Sequence, residues 1–253
     1  MTAPTYTLDV SPDSTALTVH AAEEFVKQAR VAIAERHRFS VALSGGSTPK
    51  VLFEMLASDR FRDQVDWSKV YFFWGDERSV PPDHKDSNFR MANDAMLKPL
   101  NIPESNIFRI QAEKGATEAA ALYRQVLADF FTPDEFPRFD LLYLGMGDDG
   151  HTASLFPHTE ALKEQSLAVV DNYVPKFQTT RITLTIPAIN QARHIVFLAS
   201  GAGKADMLVQ VLEGEYQPET LPSQFIRAAS GTLTWMVDAP AAEKLHQKNN
   251  ENS

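Results

Sequence analysis

Phe39-Ser40-Val41-Ala42-Leu43-Ser44-Gly45-Gly46-Ser47-Thr48-Pro49-Lys50-Val51-Leu52-Phe53-Glu54-Met55-Leu56 contains the unit from which the rest of the chain is assembled. A short run of apolar and small residues ends in two glycines flanked by hydroxyls, and a helical pattern begins beside a proline. Pro49 suits the first position of a helix, where no backbone N–H is needed, and Thr48 suits the N-cap before it. The same theme returns at Val70–Trp74 running into Gly75-Asp76-Glu77-Arg78, and at Phe139–Leu144 running into Gly145-Met146-Gly147-Asp148-Asp149-Gly150-His151. It returns again at His194–Ala199, which meets Ser200-Gly201-Ala202-Gly203-Lys204 and a helical pattern over Ala205–Leu212, and at Thr232–Val237 before Ala239–Leu245. Runs that are apolar on both faces fit strands buried in a parallel sheet.

Working outward, helical patterns fill the gaps at 14–36, where Ala22, Phe25, Val26, Ala29 and Ile33 share one face, at 88–98 and at 117–131. Alternation of strand and helix predicts a doubly wound, Rossmann-like α/β fold: a mostly parallel sheet with helices on both faces. No internal repeat or linker divides the chain, so a single domain over 1–246 is expected, followed by a polar tail at 247–253. At about 150 residues per domain, 253 residues allow that reading. The first ten residues have neither a basic nor an apolar region, so they do not read as a signal peptide, and no stretch is apolar for the roughly 20 residues of a membrane span. A cytoplasmic enzyme is the expectation, with no membrane partner. Lys+Arg of 24 against Asp+Glu of 33 gives a net charge of −9, which argues against a nucleic-acid partner. The oligomeric state stays open, a monomer being compatible with everything here. Cys is 0, which removes disulfides, thiolate nucleophiles and cysteine metal sites.

Ligands of open α/β sheets bind outside the carboxyl ends of the strands, and the unusual residues collect in those loops. Ser44-Gly45-Gly46-Ser47-Thr48 before a helix can close backbone N–H groups and hydroxyls around a phosphate; its alternative is a capped tight turn. Gly145-Met146-Gly147-Asp148-Asp149-Gly150 matches the dinucleotide fingerprint, with Asp171 about 20 residues on, where a ribose-binding acid belongs. Asp148 and Asp149 would repel a pyrophosphate, however, and Pro157 interrupts the helix that should follow. Gly201-Ala202-Gly203-Lys204 has Ala205 where a nucleotide P-loop needs Ser or Thr. No cofactor is expected. What remains in the second loop is His151 behind two carboxylates, the pattern of a general base with Asp149 to orient it. Lys204 reads either as a phosphate contact or as a solvated surface charge. Arg78 reads as an anion clamp or as the ion-pair partner of Asp76 or Glu77. His84, His151 and His158 lack the spacing of a ligand set, so no metal is expected.

Taken together, these residues resemble the 6-phosphogluconolactonase family. The matching stretches are Ala42–Pro49, Gly75-Asp76-Glu77-Arg78 with Ser87-Asn88-Phe89-Arg90, Gly145–Pro157, Arg181-Ile182-Thr183-Leu184-Thr185, Asn190 and Gly203-Lys204. They span residues 39–235, and Asp-Gly-His-Thr-Ala-Ser-Leu-Phe-Pro is the most specific of them. The resemblance implies a carboxylic ester hydrolase converting 6-phospho-D-glucono-1,5-lactone to 6-phospho-D-gluconate in the oxidative pentose phosphate pathway. It also implies a metal-free fold shared with glucosamine-6-phosphate deaminases and ribose-5-phosphate isomerases. Carried over by position, His151 is the general base, while Arg78, Arg181, Lys204 and the loop Ser44, Gly45, Gly46, Ser47 and Thr48 hold the phosphate and sugar hydroxyls. Ser79 and Ser223 depart from the family pattern without touching that chemistry.

The nearest alternative is a glucosamine-6-phosphate deaminase/isomerase-like enzyme on the same fold. Such enzymes resemble this chain at the phosphate loop and the Gly-Asp-Gly-His turn, but follow Asp-Glu with Tyr and the His with Ile-Ala-Phe-Asn-Glu. Here Arg78 and Thr152-Ala153-Ser154-Leu155-Phe156 stand in those places, and the Glu their mechanism needs is missing. A non-enzymatic sugar-phosphate sensor would keep Lys204 but have no use for His151.

Overall fold

The computed structural model describes residues 6–132 and 135–246; the polar tail proposed for 247–253 lies outside them. Among the described residues there are nine strands: β1 (Thr7–Ser11), β2 (Phe39–Leu43), β3 (Val70–Trp74), β4 (Asp76–Arg78), β5 (Leu141–Leu144), β6 (Val169–Val174), β7 (Thr179–Leu184), β8 (His194–Ala199) and β9 (Thr232–Asp238). The helices are α1 (Ser14–Arg36), α2 (Ser47–Leu56), α3 (Asn88–Ala92), α4 (Ala116–Phe130), α5 (Ile186–Asn190) and α6 (Ala205–Leu212).

Six strands form one sheet in the order β1-β9-β8-β5-β2-β3, and every pairing in it is parallel. This is the α/β architecture read from the buried apolar runs: β2 and β5 are buried at every position. The chain winds outward from β2 to β3, then returns across β2 to β5 and proceeds the other way through β8 and β9. The winding therefore reverses between β2 and β5, and the carboxyl ends of those two strands flank a crevice.

A second sheet, β4-β7-β6, is antiparallel and was not anticipated. Its strands alternate too weakly to be read: β7 has three half-buried residues before three buried ones. Other local expectations shift as well. The helical pattern at 88–98 breaks after Ala92 into a wider turn, in which Lys98 N–H donates to Asn93 C=O at 3.0 Å. Residues 239–245 form hydrogen-bonded turns in place of a helix, with the Asp238 carboxylate accepting the Ala241 N–H at 2.9 Å.

Packing follows the patterns that did read correctly. α1 starts on Asp13, whose carboxylate accepts Ala16 N–H at 2.8 Å, and buries Leu17, Ala21, Ala22, Phe25, Val26 and Ala29 along one stripe. The β3 edge is closed by aromatic packing: buried Phe73 stacks on Phe108 at 4.8 Å and meets Phe130, Phe131 and Phe139 within 5.7 Å. Tyr123 of α4 pins β3 from the side, its hydroxyl accepting Trp74 N–H and donating to Trp74 C=O. Among the described residues, no helix is long and apolar enough to cross a membrane.

Candidate active site

A cavity of about 210 Å³ opens at the crevice between the carboxyl ends of β2 and β5. Ser44–Pro49 form one wall, Gly145–Gly147 and His151 another, and Asp76, Arg78, Asn88 and Lys204 close it. The groups come from the segments after β2, β5 and β8 and from β4 and the start of α3, so residues scattered over 160 positions of chain meet only because the fold brings those segments together.

On the β2 side the turn is tighter than the proline suggests. Gly46 has φ 111, a conformation that favours glycine, so α2 starts at Ser47 with Gly46 as its N-cap; Thr48 and Pro49 fall inside the first turn. No side chain caps this end, which leaves the first N–H groups turned to the cavity edge. Ser44 is buried, and among the described residues its hydroxyl has no hydrogen-bond partner. Gly45 is required by close approach: a Cβ there would lie 2.0 Å from Asn88 Oδ1.

The β5 side carries the histidine. Asp149 Oδ1 lies 2.5 Å from His151 Nδ1 and also accepts His151 N–H at 3.2 Å. The imidazole stacks on Phe156, with ring centres 4.0 Å apart. Gly147 makes room for it, since a Cβ there would fall 2.0 Å from Nδ1. Burial works to raise the Asp149 carboxyl, but hydrogen bonds from His151 and from Lys176 (Nζ to Oδ2, 2.7 Å) outweigh it and hold the group well below the carboxylate range. An ionised carboxylate only accepts, so Nδ1 carries a ring proton, and it is Nε2 that holds the lone pair of the neutral imidazole.

The cationic groups are distributed unevenly. Lys204 reaches back to the β5 loop, Nζ donating to Met146 C=O at 2.8 Å. Arg78 donates to Asp86 C=O at 2.7 Å and, among the described residues, pairs with no carboxylate, so the Asp76 or Glu77 ion pair weighed from sequence does not form. Arg181 stands apart from the cavity wall. It faces Arg78 across the β4–β7 ladder and lies over Phe177, with a buried Nε that has no hydrogen-bond partner among the described residues. Burial, then the Arg78 charge, lowers the Arg181 guanidinium from its ordinary value.

Asp148, Asp149 and His151 are close enough together to share a cation, and both carboxylates already hold the Lys176 ammonium, whose Nζ sits 3.0 Å from Asp148 and 2.7 Å from Asp149. His84 lies on an exposed loop beside Asp86, and exposed His158 uses its N–H on Glu219 C=O.

The sequence model described as glucosamine-6-phosphate isomerases/6-phosphogluconolactonase matches residues 12–235 of this chain. The chain belongs to this family. A 6-phosphogluconolactonase of Nostoc sp. is 44% identical over 243 residues, covering 94% of this chain and 98% of the relative. That of Mycobacterium tuberculosis is 38% identical over 245 residues, 94% and 98% of the two chains. The solved 6-phosphogluconolactonase of Trypanosoma brucei superposes with a TM-score of 0.86 at 28% identity, over 96% of this chain and 100% of that one.

Several residues at this family-type cavity escaped the sequence reading. Asn88 sits in a matched motif, yet nothing local shows that its amide donates to Asp76 C=O at 3.0 Å and Asp76 Oδ1 at 3.2 Å. Asp76 also accepts from Ser154 Oγ at 2.6 Å. Glu77 is buried and acts as a strut: its carboxylate accepts the N–H groups of Arg78, Asn88 and Phe89, each at 2.8 Å. Burial raises the Glu77 carboxyl despite those bonds. Lys176 is carried in by the β6–β7 hairpin, far from any motif. For Asn88, the serine-asparagine pair at a helix start was the one available signal: Ser87 caps α3 through Arg90 N–H at 3.1 Å.

Proposed function

We propose that this chain hydrolyses 6-phospho-D-glucono-1,5-lactone to 6-phospho-D-gluconate, in the oxidative branch of the pentose phosphate pathway and in the cytoplasm. A small sugar phosphate is its partner, with neither nucleic acid nor membrane involved, and residues 1–246 act as one domain. The observation that carries the reading is the fixed imidazole of His151. Its Nδ1 is tied to an ionised Asp149 and its face is packed on Phe156, so Nε2 is left as a base opening on a cavity rimmed by cations.

In the proposed reaction His151 Nε2 takes a proton from water as the water oxygen bonds to the lactone carbonyl carbon. The tetrahedral intermediate then collapses: the bond from that carbon to the ring oxygen breaks, and the imidazolium returns its proton to the departing oxygen. A lactone is an activated ester, so no covalent nucleophile is required. Asp149 holds the tautomer and favours the imidazolium as it forms. Lys204, Arg78, the Ser44 hydroxyl and the N–H groups at the start of α2 would take the phosphate and neighbouring hydroxyls. Binding energy from that remote anchor places the carbonyl beside the base. Arg181, one strand away, would act chiefly through the field it adds to Arg78.

The family name also covers glucosamine-6-phosphate isomerases. Against that activity stands the segment after His151, where Thr152-Ala153-Ser154-Leu155-Phe156 supplies a hydroxyl bond to Gly145 C=O and a stacking ring but no carboxylate. Freshly generated lactone is the deciding substrate. Turnover well above its spontaneous hydrolysis, with no ammonia released from glucosamine 6-phosphate, is the expected result; ammonia release without lactone turnover would reverse the assignment.

A further inference from the structure

At the opposite, amino-terminal ends of β2, β5 and β8, a separate cavity of about 260 Å³ gathers four arginines: Arg36, Arg38, Arg138 and Arg193. In a chain whose net charge is −9, that is an unusual concentration of positive charge. The buried carboxylate among them, Asp140, is fully used. Its Oδ2 accepts Ser40 N–H at 2.8 Å and Ser40 Oγ–H at 2.9 Å, and its Oδ1 accepts Arg36 Nε at 3.0 Å. Arg36 also pairs with Glu35 at 2.5 Å.

The other guanidinium groups are held less closely. Arg193 forms an ion pair with Asp140, Nε to Oδ1 3.4 Å, but among the described residues that buried Nε has no hydrogen bond. Arg38 lies over the Phe130 ring at 4.4 Å, and Arg138 spends one Nη2 bond on Ser230 Oγ at 3.0 Å. Among the described residues neither has a carboxylate partner, and exposed Glu135 is the further acid at the rim. Burial first, then repulsion from Arg138 and Arg36, lowers the Arg193 guanidinium despite the attraction of Asp140 and Glu35. Among the described residues, the four guanidinium groups meet the carboxylates of Asp140, Glu35 and Glu135, and fork-shaped donors remain open.

We propose that this cavity is a second, non-catalytic binding site for a compact, multiply charged phosphate oxyanion of the diphosphate class. Arginine forks match phosphate oxygens in geometry as well as charge. The cavity lies below the roughly 300–1,000 Å³ of drug-sized ligand pockets, which suits a phosphate group and not a whole nucleotide. The site depends on none of the groups assigned to lactone hydrolysis.

Inorganic pyrophosphate titrated calorimetrically into the full chain is the probe. A binding event is expected that weakens as salt is raised, persists in Arg78→Ala/Lys204→Ala, and weakens by roughly tenfold or more in Arg38→Ala/Arg138→Ala, since each charge-assisted contact is worth about that factor. Both altered arginines are exposed, so the double variant should keep its fold and its lactone turnover; should it not fold, Arg138→Gln alone reads the same contact. The proposal is overturned if the wild type shows no pyrophosphate binding, if binding is unchanged in the Arg38/Arg138 variant, or if it vanishes with Arg78 and Lys204.

Discussion

Gly147→Ala tests the catalytic assignment without altering any group that takes part in the chemistry. Gly147 is not in the left-handed region, so alanine meets no backbone strain there. Its Cβ would instead fall 2.0 Å from His151 Nδ1 and 2.1 Å from Cε1, against 3.4 Å for ordinary contact. The ring must therefore retreat by about 1.4 Å, which breaks the 2.5 Å bond to Asp149 and disturbs the 4.0 Å stack on Phe156. A misplacement of about 1 Å can cost on the order of 10²-fold, and a positioned base is worth about 10²–10⁴-fold in all. The expected loss in kcat is thus roughly 10²-fold, bounded above by the loss in His151→Ala. KM should change little, because the phosphate anchor lies on other loops. Gly203→Ala is the control: its Cβ would meet nothing within 4 Å, so kcat should stay within about threefold. The assay is initial-rate turnover of freshly generated lactone, corrected for spontaneous hydrolysis, with thermal melting to confirm folding. A folded Gly147→Ala protein with kcat within tenfold of wild type would refute His151 as the proton acceptor in this position.

Three further outcomes are expected. His151→Ala should lower kcat by about 10²–10⁴-fold while the protein still binds 6-phosphogluconate in an equilibrium titration, whereas His158→Ala should leave kcat unchanged. Lys204→Ala should act mainly on KM, lowering kcat/KM by roughly 10- to 150-fold, and Arg181→Ala should cost less because it lies off the cavity wall; unphosphorylated gluconolactone should be nearly indifferent to Lys204→Ala. Asp149 is depressed in the folded state, so its contribution to stability is present above the ordinary carboxylate range and is lost as pH falls through that range and below. Melting temperature followed from neutral to acid pH should fall less steeply in Asp149→Asn than in wild type, and parallel profiles would contradict the native pairing.

The strand–loop–helix units were legible in order because parallel strands buried on both faces leave continuous apolar runs, and because a glycine-rich turn before a helix has its own local chemistry. For that reason β2, β3, β8 and the long helices α1 and α4 follow from local sequence alone. The antiparallel β4-β7-β6 sheet did not, since its strands are short or only partly buried and owe their form to partners distant in the chain. At the site, residue types that do chemistry were visible wherever they stood in a strand-end loop, as with His151, Asp149, Arg78 and Lys204. Which of them share a cavity was not. Arg181 carries the same charge as Arg78 and pairs with it in register, on the same face of the small sheet, yet Arg78 lines the cavity and Arg181 does not. Asn88, Asp76 and Lys176 enter only through contacts between separate elements. Local sequence governs which conformations and which reactive groups each segment can offer. Their distances are decided by the packing of the sheet, because hydrogen bonds, ion pairs and steric contacts act over a few ångströms of space regardless of separation along the chain.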